Sequence, residues 1–426
     1  MMVTMPSPST LACLLILSAA AACSQPKNAN YDEAKVPAYT LPDPLKMADG
    51  KPVTDRSTWT AKRRPELIHL FEENIYGISP ARPKRVVSEV LETSTTALGG
   101  KAIRKQVRVH FLANDGPGMD VLMYLPASKQ GRVPVFLSLN FGGNQTVSND
   151  PAIILTKSWV AKSANAPDNQ ATEKSRGSAI SRWPIEHILE RGYGVVTAYY
   201  GDIEPDYNGG INNSVRKLFL TPGHTAPAVN EWGAVAAWAW GLSRIMDYLE
   251  TDPDVNPQRV AVLGHSRLGK AALWAGARDP RFAVVISNDS GEGGAALSRR
   301  KFGEQVKNLN TSFPHWFAPN YTKFNDREEY LPVDMHELIA LVAPRPVYVA
   351  SAEEDRWSDP HGEFLSAKAA SPVYKLFGES GLDGVEMPPV HQPVMNRIGY
   401  HIRTGKHDIT LYDWDRFIDF TDKWMK

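Results

Sequence analysis

Apolar residues along the chain recur in two periods, one helical and one alternating. Over 59–75, Leu67, Leu70, Phe71 and Ile75 fall at helical spacing, and Gly77 supplies a stop. The stretches 86–91, 103–112 and 121–125 then read as strands separated by Gly-containing turns, an antiparallel opening to a mixed sheet. From residue 133 the two signals alternate. Strands are predicted at 133–140, 194–200, 259–263, 282–287, 345–350 and 398–403, and helices at 180–191, 231–250, 268–277, 362–370 and 414–425. Within 231–250, Val235, Trp238, Leu242, Ile245, Met246 and Leu249 form one stripe, so its tryptophan reads as core rather than as a ligand platform. Alternation of this kind predicts a three-layer α/β/α sandwich around a mostly parallel sheet, with chemistry at the carboxyl ends of the strands. Two polar insertions, 144–179 and 202–230, each follow a predicted strand and would rise around that edge as walls for an extended substrate.

The N-terminus breaks the pattern. The first 22 residues carry no charge, and 11–22 is a run of apolar and small residues ending Ala20-Ala21-Ala22-Cys23. That run is too short to cross a bilayer and reads as an export signal. Its ending resembles a bacterial lipoprotein cleavage site, at which Cys23 would be lipidated. A plain secretory signal cut near the same place is the alternative, because the segment before the apolar run lacks Lys and Arg and Ala20 stands where Leu is usual. The expected organisation is a signal at 1–22, an extended arm at 23–58 rich in Pro, Asp, Asn and Lys, and a single catalytic domain at 59–426. The expected location is the periplasm or the outer membrane of a Gram-negative bacterium, with the lipid on Cys23 as a membrane tether. After cleavage only Cys23 remains of the two cysteines, so no intrachain disulfide can form. The 47 basic and 47 acidic residues include no basic run, which argues against a nucleic-acid partner. Nothing calls for an oligomer, and a monomer is expected.

Candidate chemistry concentrates in Val260-Ala-Val-Leu-Gly-His-Ser-Arg-Leu-Gly-Lys-Ala-Ala272, which reads as strand, sharp turn and helix with Ser266 at the apex. Gly264 and Ser266 fit a nucleophile elbow, although the fifth position is Leu268 and the glycine is displaced to Gly269. Gly264 through Gly269-Lys270 also matches the first seven places of a phosphate-binding loop. Ala271 stands where the magnesium-binding Ser or Thr belongs, and an exported chain meets no nucleoside triphosphate. The elbow reading is therefore preferred. A serine nucleophile needs a histidine base, and the base needs a carboxylate. Of the eleven histidines, His407 lies in the loop after the last strand, where such a base belongs, whereas His401 lies inside that strand and reads as structural. Two strand ends offer the acid: Asp289 after 282–287, and Glu353, Glu354, Asp355 and Asp359 after 345–350. For the oxyanion, one donor would be the amide of Arg267 and the other would come from Asn140-Phe-Gly-Gly-Asn144. The Arg267 guanidinium either assists there or pairs with a loop carboxylate.

Several motifs together resemble bacterial glucuronoyl esterases of carbohydrate esterase family 15. They are Gly264-His-Ser-Arg-Leu-Gly-Lys-Ala-Ala-Leu-Trp-Ala-Gly-Ala277, Ser287-Asn-Asp-Ser-Gly-Glu-Gly-Gly-Ala-Ala296, Ala343-Pro-Arg-Pro346, Leu139-Asn-Phe-Gly-Gly-Asn144 and Tyr199-Tyr-Gly-Asp-Ile-Glu-Pro205. The resemblance implies an α/β-hydrolase that cleaves the ester joining 4-O-methyl-glucuronic acid of glucuronoxylan to lignin alcohols, with no metal or cofactor. It implies Ser266 as nucleophile, His407 as base and Arg267 as oxyanion contributor, with Lys270, Glu304 and Trp357 holding the uronate. Apart from the resemblance, Lys270 reads as a helix surface residue, Glu304 as solvated, and Trp357 as either core or cleft. Asp289 stands where fungal members carry Glu, one methylene longer. Bacterial members often place the acid after the later strand, so Asp355 is expected to be the more important of two acids that both support His407. Two alternatives stay open: another carbohydrate esterase, such as an acetyl xylan esterase with the same triad, and a non-catalytic glycan-binding lipoprotein.

Overall fold

The computed structural model describes residues 29–112, 116–220 and 228–425; Cys23 and the expected signal at 1–22 lie outside them. Ten strands form one sheet: β1 (Val87–Thr96), β2 (Ala102–His110), β3 (Gly118–Pro126), β4 (Val133–Asn140), β5 (Gly194–Tyr199), β6 (Val255–His265), β7 (Val284–Asn288), β8 (Val347–Ala352), β9 (Val394–Met395) and β10 (Ile398–Arg403). Their order is β1-β2-β3-β5-β4-β6-β7-β8-β10-β9. The pairs β1/β2, β2/β3 and β3/β5 are antiparallel, the six strands from β5 to β10 run parallel, and β9 closes the far edge antiparallel.

The period of two along each strand divides the interior into two cores. Val135, Leu137, Val260, Val262, Val285, Val347 and Val349 face one core with the helices Ala234–Leu249 and Arg267–Arg278. The intervening residues Phe136, Ala261, Leu263, Val284, Ile286 and Tyr348 face the other, beneath the helices Ile185–Glu190 and Leu411–Met425. Residues buried on both faces make the parallel strands nearly continuous apolar runs. Trp238 is fully buried in the first core and donates its indole N–H to Glu204 O at 2.9 Å, as its place in the apolar stripe predicts.

Differences from the sequence pattern are local. The 59–75 helix contains a regular α-helical stretch, Arg64–Phe71, between two wider π-type turns, Trp59–Arg63 and Glu72–Tyr76. The 180–191 helix is divided into a 3-10 turn, Ile180–Arg182, and a helix, Ile185–Glu190, because Pro184 between them has no amide to donate. The helices Val306–Ser312, Met335–Ala340 and Ser371–Leu376 are too short to show a period. Met335–Ala340 carries a local signal, the Asp334-x-x-Glu337 capping box. Residues 29–58 have little regular structure and lie against the body, where Val53 is buried and Pro42 O meets His336 Nε2 at 2.9 Å.

Chain order places β5 and β6 on opposite sides of β4, so the connections leaving β4 and β6 part at their carboxyl ends. Such a switch point opens a crevice there.

Candidate active site

The crevice is bounded by the turn after β6. Ser266 sits at its apex with φ 58° and ψ −132°, a conformation that a non-glycine residue holds only under the constraint of its surroundings. The constraint is visible in the backbone. Ser266 N donates to Asn288 O at 2.9 Å, and Ser266 O accepts from Gly269 N at 2.8 Å. A side chain at Gly264 would lie 1.9 Å from Leu268 O, and one at Gly269 would meet Ser290 Cβ at 2.9 Å and Gly264 O at 3.1 Å. Gly269 therefore does the close-approach task that the displaced glycine left in question, and Leu268 is free to fill the core.

His407, on the loop after β10, stands over this turn with its ring centroid 4.6 Å from that of His265. Its Nδ1 lies 2.6 Å from Asp355 Oδ2, and Asp355 is buried at the end of β8 while His407 remains 39% exposed. Asp289, at the end of β7, is held differently. One oxygen, one nitrogen and one oxygen of Asp289, His407 and Asp355 lie within 4.8 Å of one another. Yet Asp289 Oδ1 has no hydrogen-bond partner among the described residues, and Oδ2 lies 3.5 Å from Arg403 Nη2 and 4.0 Å from His265 Nδ1. Burial, and after it the neighbouring charge of Asp355, raises the Asp289 carboxyl well above its usual range, so it favours the neutral form. His401 is a satisfied core residue, with Nδ1 3.0 Å from Tyr348 Oη and Nε2 2.9 Å from Asp413 Oδ1.

Arg403, the last residue of β10, was not singled out by the sequence. Its guanidinium donates to the carbonyls of Thr404 (3.0 Å), Lys406 (3.2 Å) and Asp408 (2.6 Å), and pairs with Asp413 at 2.7 Å. It thus binds the loop on both sides of His407. Asp206 is a second residue that was missed. It accepts from His315 Nε2 (2.9 Å), Trp316 Nε1 (2.7 Å), Tyr200 Oη (3.1 Å) and the Arg267 guanidinium. Burial opposes its ionisation, but His315, Arg267 and Trp316 outweigh it and hold the carboxyl well below the usual range. The signal was available, since Asp206 follows the carboxyl end of β5, the same kind of position that pointed to Asp355.

Arg267 accordingly pairs with a loop carboxylate, one of its two open readings, and its guanidinium also lies 4.8 Å from the Trp316 ring centre. Lys270, read from its spacing as a helix surface residue, is 3% exposed. That reading is corrected by three contacts: Nζ donates to Ser290 O at 2.8 Å, to Glu292 O, and to Glu304 Oε2 at 2.9 Å. Glu304 is likewise an ion-pair partner with a 9% exposed side chain rather than a solvated residue. Trp357 is half-buried, and its carbonyl accepts from Glu304 N at 2.8 Å. Of the proposed oxyanion loop, the Gly143 amide is already committed to Asn140 Oδ1 at 2.9 Å, which leaves Phe141 and Gly142 as the candidate donors. The two insertions meet each other, with the Trp159 and Tyr207 rings 4.7 Å apart.

Comparison with known proteins finds similarity to named esterases. The family model for glucuronyl esterases of fungi matches residues 227–378. A carbohydrate esterase designated MZ0003, from an unknown prokaryotic organism, is 53% identical over 94% of this chain and 93% of its own length. A 4-O-methyl-glucuronoyl methylesterase of Phanerochaete carnosa is 28% identical over 84% of this chain and 75% of its own. Among solved structures, a glucuronoyl esterase from Solibacter usitatus superposes with a TM-score of 0.88 at 54% identity, over 92% of this chain and all of the other. A promiscuous esterase of carbohydrate esterase family 15 from a marine bacterial metagenome gives 0.87 at 53% identity, over 93% and 100%.

Proposed function

The chain belongs to the glucuronoyl esterases of carbohydrate esterase family 15, with their α/β-hydrolase fold, and on that basis we propose that it is a serine esterase acting on lignin–carbohydrate esters. The substrate is the ester between 4-O-methyl-glucuronic acid on glucuronoxylan and a lignin alcohol. The observation that carries this reading is the pairing of His407 with Asp355 over the strained Ser266 turn, at the switch point of the sheet.

In this reading His407 Nε2 takes the proton from Ser266 Oγ as the oxygen attacks the uronate carbonyl. Asp355 holds Nδ1–H and stabilises the imidazolium that forms. The amide of Arg267 and one from the Phe141–Gly142 turn receive the oxyanion, with the Arg267 guanidinium adding positive charge. Collapse breaks the bond to the alcohol oxygen, which leaves with the proton from His407. Water then attacks the acyl-enzyme, giving its proton to His407, and Ser266 is regenerated as free glucuronate departs. Lys270, Glu304 and Trp357 form the uronate side of the cleft. Because the Lys270 protons already have partners, Lys270 acts by charge and by fixing Glu304, which presents its carboxylate to the sugar hydroxyls. We further place the mature chain outside the cytoplasm, tethered through a lipid on Cys23.

Rates on benzyl glucuronate and on acetylated xylan, measured for wild type and Ser266→Ala, test the reading. We expect cleavage of the glucuronate ester and a loss of ~10³-fold or more in the variant, with folding retained. Acetate release without glucuronate cleavage would identify a different carbohydrate esterase, and glycan binding without turnover would identify a binding protein.

A further inference from the structure

The segment just before the body, Asn30 to Glu33, lies against the wall of the cleft. Gly303 N donates to Asn30 O at 2.8 Å, and the next residue, Glu304, donates its amide to Trp357 O at 2.8 Å. A side chain at Gly303, where φ is +62°, would fall 2.4 Å from Trp357 O. Three stretches of backbone are therefore stacked in contact, and the inner two carry Glu304 and Trp357. Ion pairs fasten the outer layer. Arg300 Nη2 donates to both Glu33 oxygens, at 2.8 and 2.9 Å, while Arg300 Nε reaches Asp359 at 2.8 Å. Asp359 in turn caps the helix that follows Trp357, accepting from Gly362 N at 2.9 Å. Partial burial works against the Glu33 charge, but Arg300 and then His361 outweigh it, so the carboxyl stays below its usual range.

Tyr31 fills the space between these bonds. Its ring stands edge-on to Phe302 with centroids 6.1 Å apart and carries the Arg356 guanidinium 5.5 Å from its centre. Its hydroxyl is buried without a hydrogen-bond partner among the described residues. Burial, then the charges of Asp355 and Glu304, against the opposing pull of Arg356, push the phenol up to about 12, so Tyr31 remains neutral beside both acids.

We propose that Asn30–Glu33 is a positioning element of the uronate site, which sets Glu304 and Trp357 in place through Gly303 and Arg300 and so selects for a uronate acyl group. The proposal rests on the esterase reading above. Glu304 sits on a loop and Trp357 in the short 3-10 turn Arg356–Ser358, and the hydrogen bonds of the sheet do not fix them. A loop displaced by about 1 Å weakens binding sharply while leaving the nucleophile, held by β6 and β7, untouched.

The test uses the full chain with Tyr31→Ala, Glu33→Ala and the milder Glu33→Gln, assayed on methyl glucuronate and on p-nitrophenyl acetate, which has no uronate. The expected result is a ~10-fold rise in KM for the glucuronate ester in the alanine variants, a smaller rise for Glu33→Gln, and unchanged kcat on both esters. A thermal melt accompanies each variant. Unchanged glucuronate KM in a folded variant overturns the proposal, and so does an equal loss on both esters, which would mark the segment as a general stability element. A wild type that cleaves only the acetate defeats the glucuronoyl esterase reading itself, and the selectivity proposal falls with it.

Discussion

Asp355 and Asp289 sit within one cluster with His407, yet their surroundings differ. Asp355 accepts from the imidazole, whereas Asp289 is sealed in the sheet, lacks a partner for one oxygen, and is pushed toward the neutral acid. Burial and the neighbouring carboxylate disfavour the charged form of Asp289. We predict that Asp355→Asn lowers kcat by ~10³- to 10⁴-fold through loss of the histidine's orientation. Asp289→Asn, close in shape to the neutral acid, should stay within a few-fold of wild type. Steady-state kinetics on a glucuronate ester decide it; equal damage from the two would show that the acids share the role.

Between residue and fold, the loop 404–408 is where order is built from one side chain. Arg403 supplies donors to carbonyls on both sides of His407 and is itself held by Asp413. Arg403→Lys keeps a charge for Asp413 but cannot fork across three carbonyls. We expect kcat to fall while KM holds, which parallel substrate titrations would reveal. Arg403→Ala would take the guanidinium from the buried Asp413 carboxylate, leaving it His401 and Thr410, and cost about 3–5 kcal/mol of stability. The 289–304 loop carries a pH-dependent term. Glu292 accepts from Ser298 Oγ at 2.6 Å and Tyr321 Oη at 2.7 Å, yet burial raises its carboxyl to about 8. A raised acid contributes stability that is fully present below its unfolded pKa and is lost as pH climbs through the folded value. Between about pH 4.5 and 8 this term therefore falls, and Glu292→Gln should gain in Tm relative to wild type as the pH is raised across that window. A difference in Tm that is flat with pH would assign the slope to other groups, such as Glu363, also raised to about 8 by burial.

For the molecule as a whole, the arrangement of strands gathers residues far apart in sequence. Ser266, Asp289, Asp355 and His407 follow β6, β7, β8 and β10, and parallel pairing brings those four strand ends to one edge. The insertions then close over that edge, the second of them clamping Arg267 through Asp206. The proposed attachment to a membrane belongs to this scale too. Labelling cells with a lipid precursor should mark the wild type and not Cys23→Ala; an unlabelled, soluble wild type would mean a plain secretory signal.

What the sequence determined is whatever local physics enforces. The alternation of strand and helix, the buried stripe on Ala234–Leu249 and the glycines around Ser266 all follow from side-chain period or backbone room. The order of strand ends also pointed to His407 and to an acid after 282–287 or 345–350, because that order is a rule of the connection and not of contact, and the family resemblance then favoured Asp355. Protonation state and partnership were decided only in the folded chain. Lys270 occupies a surface-like place in its helix, but Ser290, Glu292 and Glu304 arrive from elsewhere to bury and satisfy it. Arg403 and Asp206 look like ordinary polar residues until the loop carbonyls and the Arg267 guanidinium converge on them. A short-range pattern fixes which way a side chain faces; which charges meet there depends on segments from other elements, and only the tertiary structure brings them together.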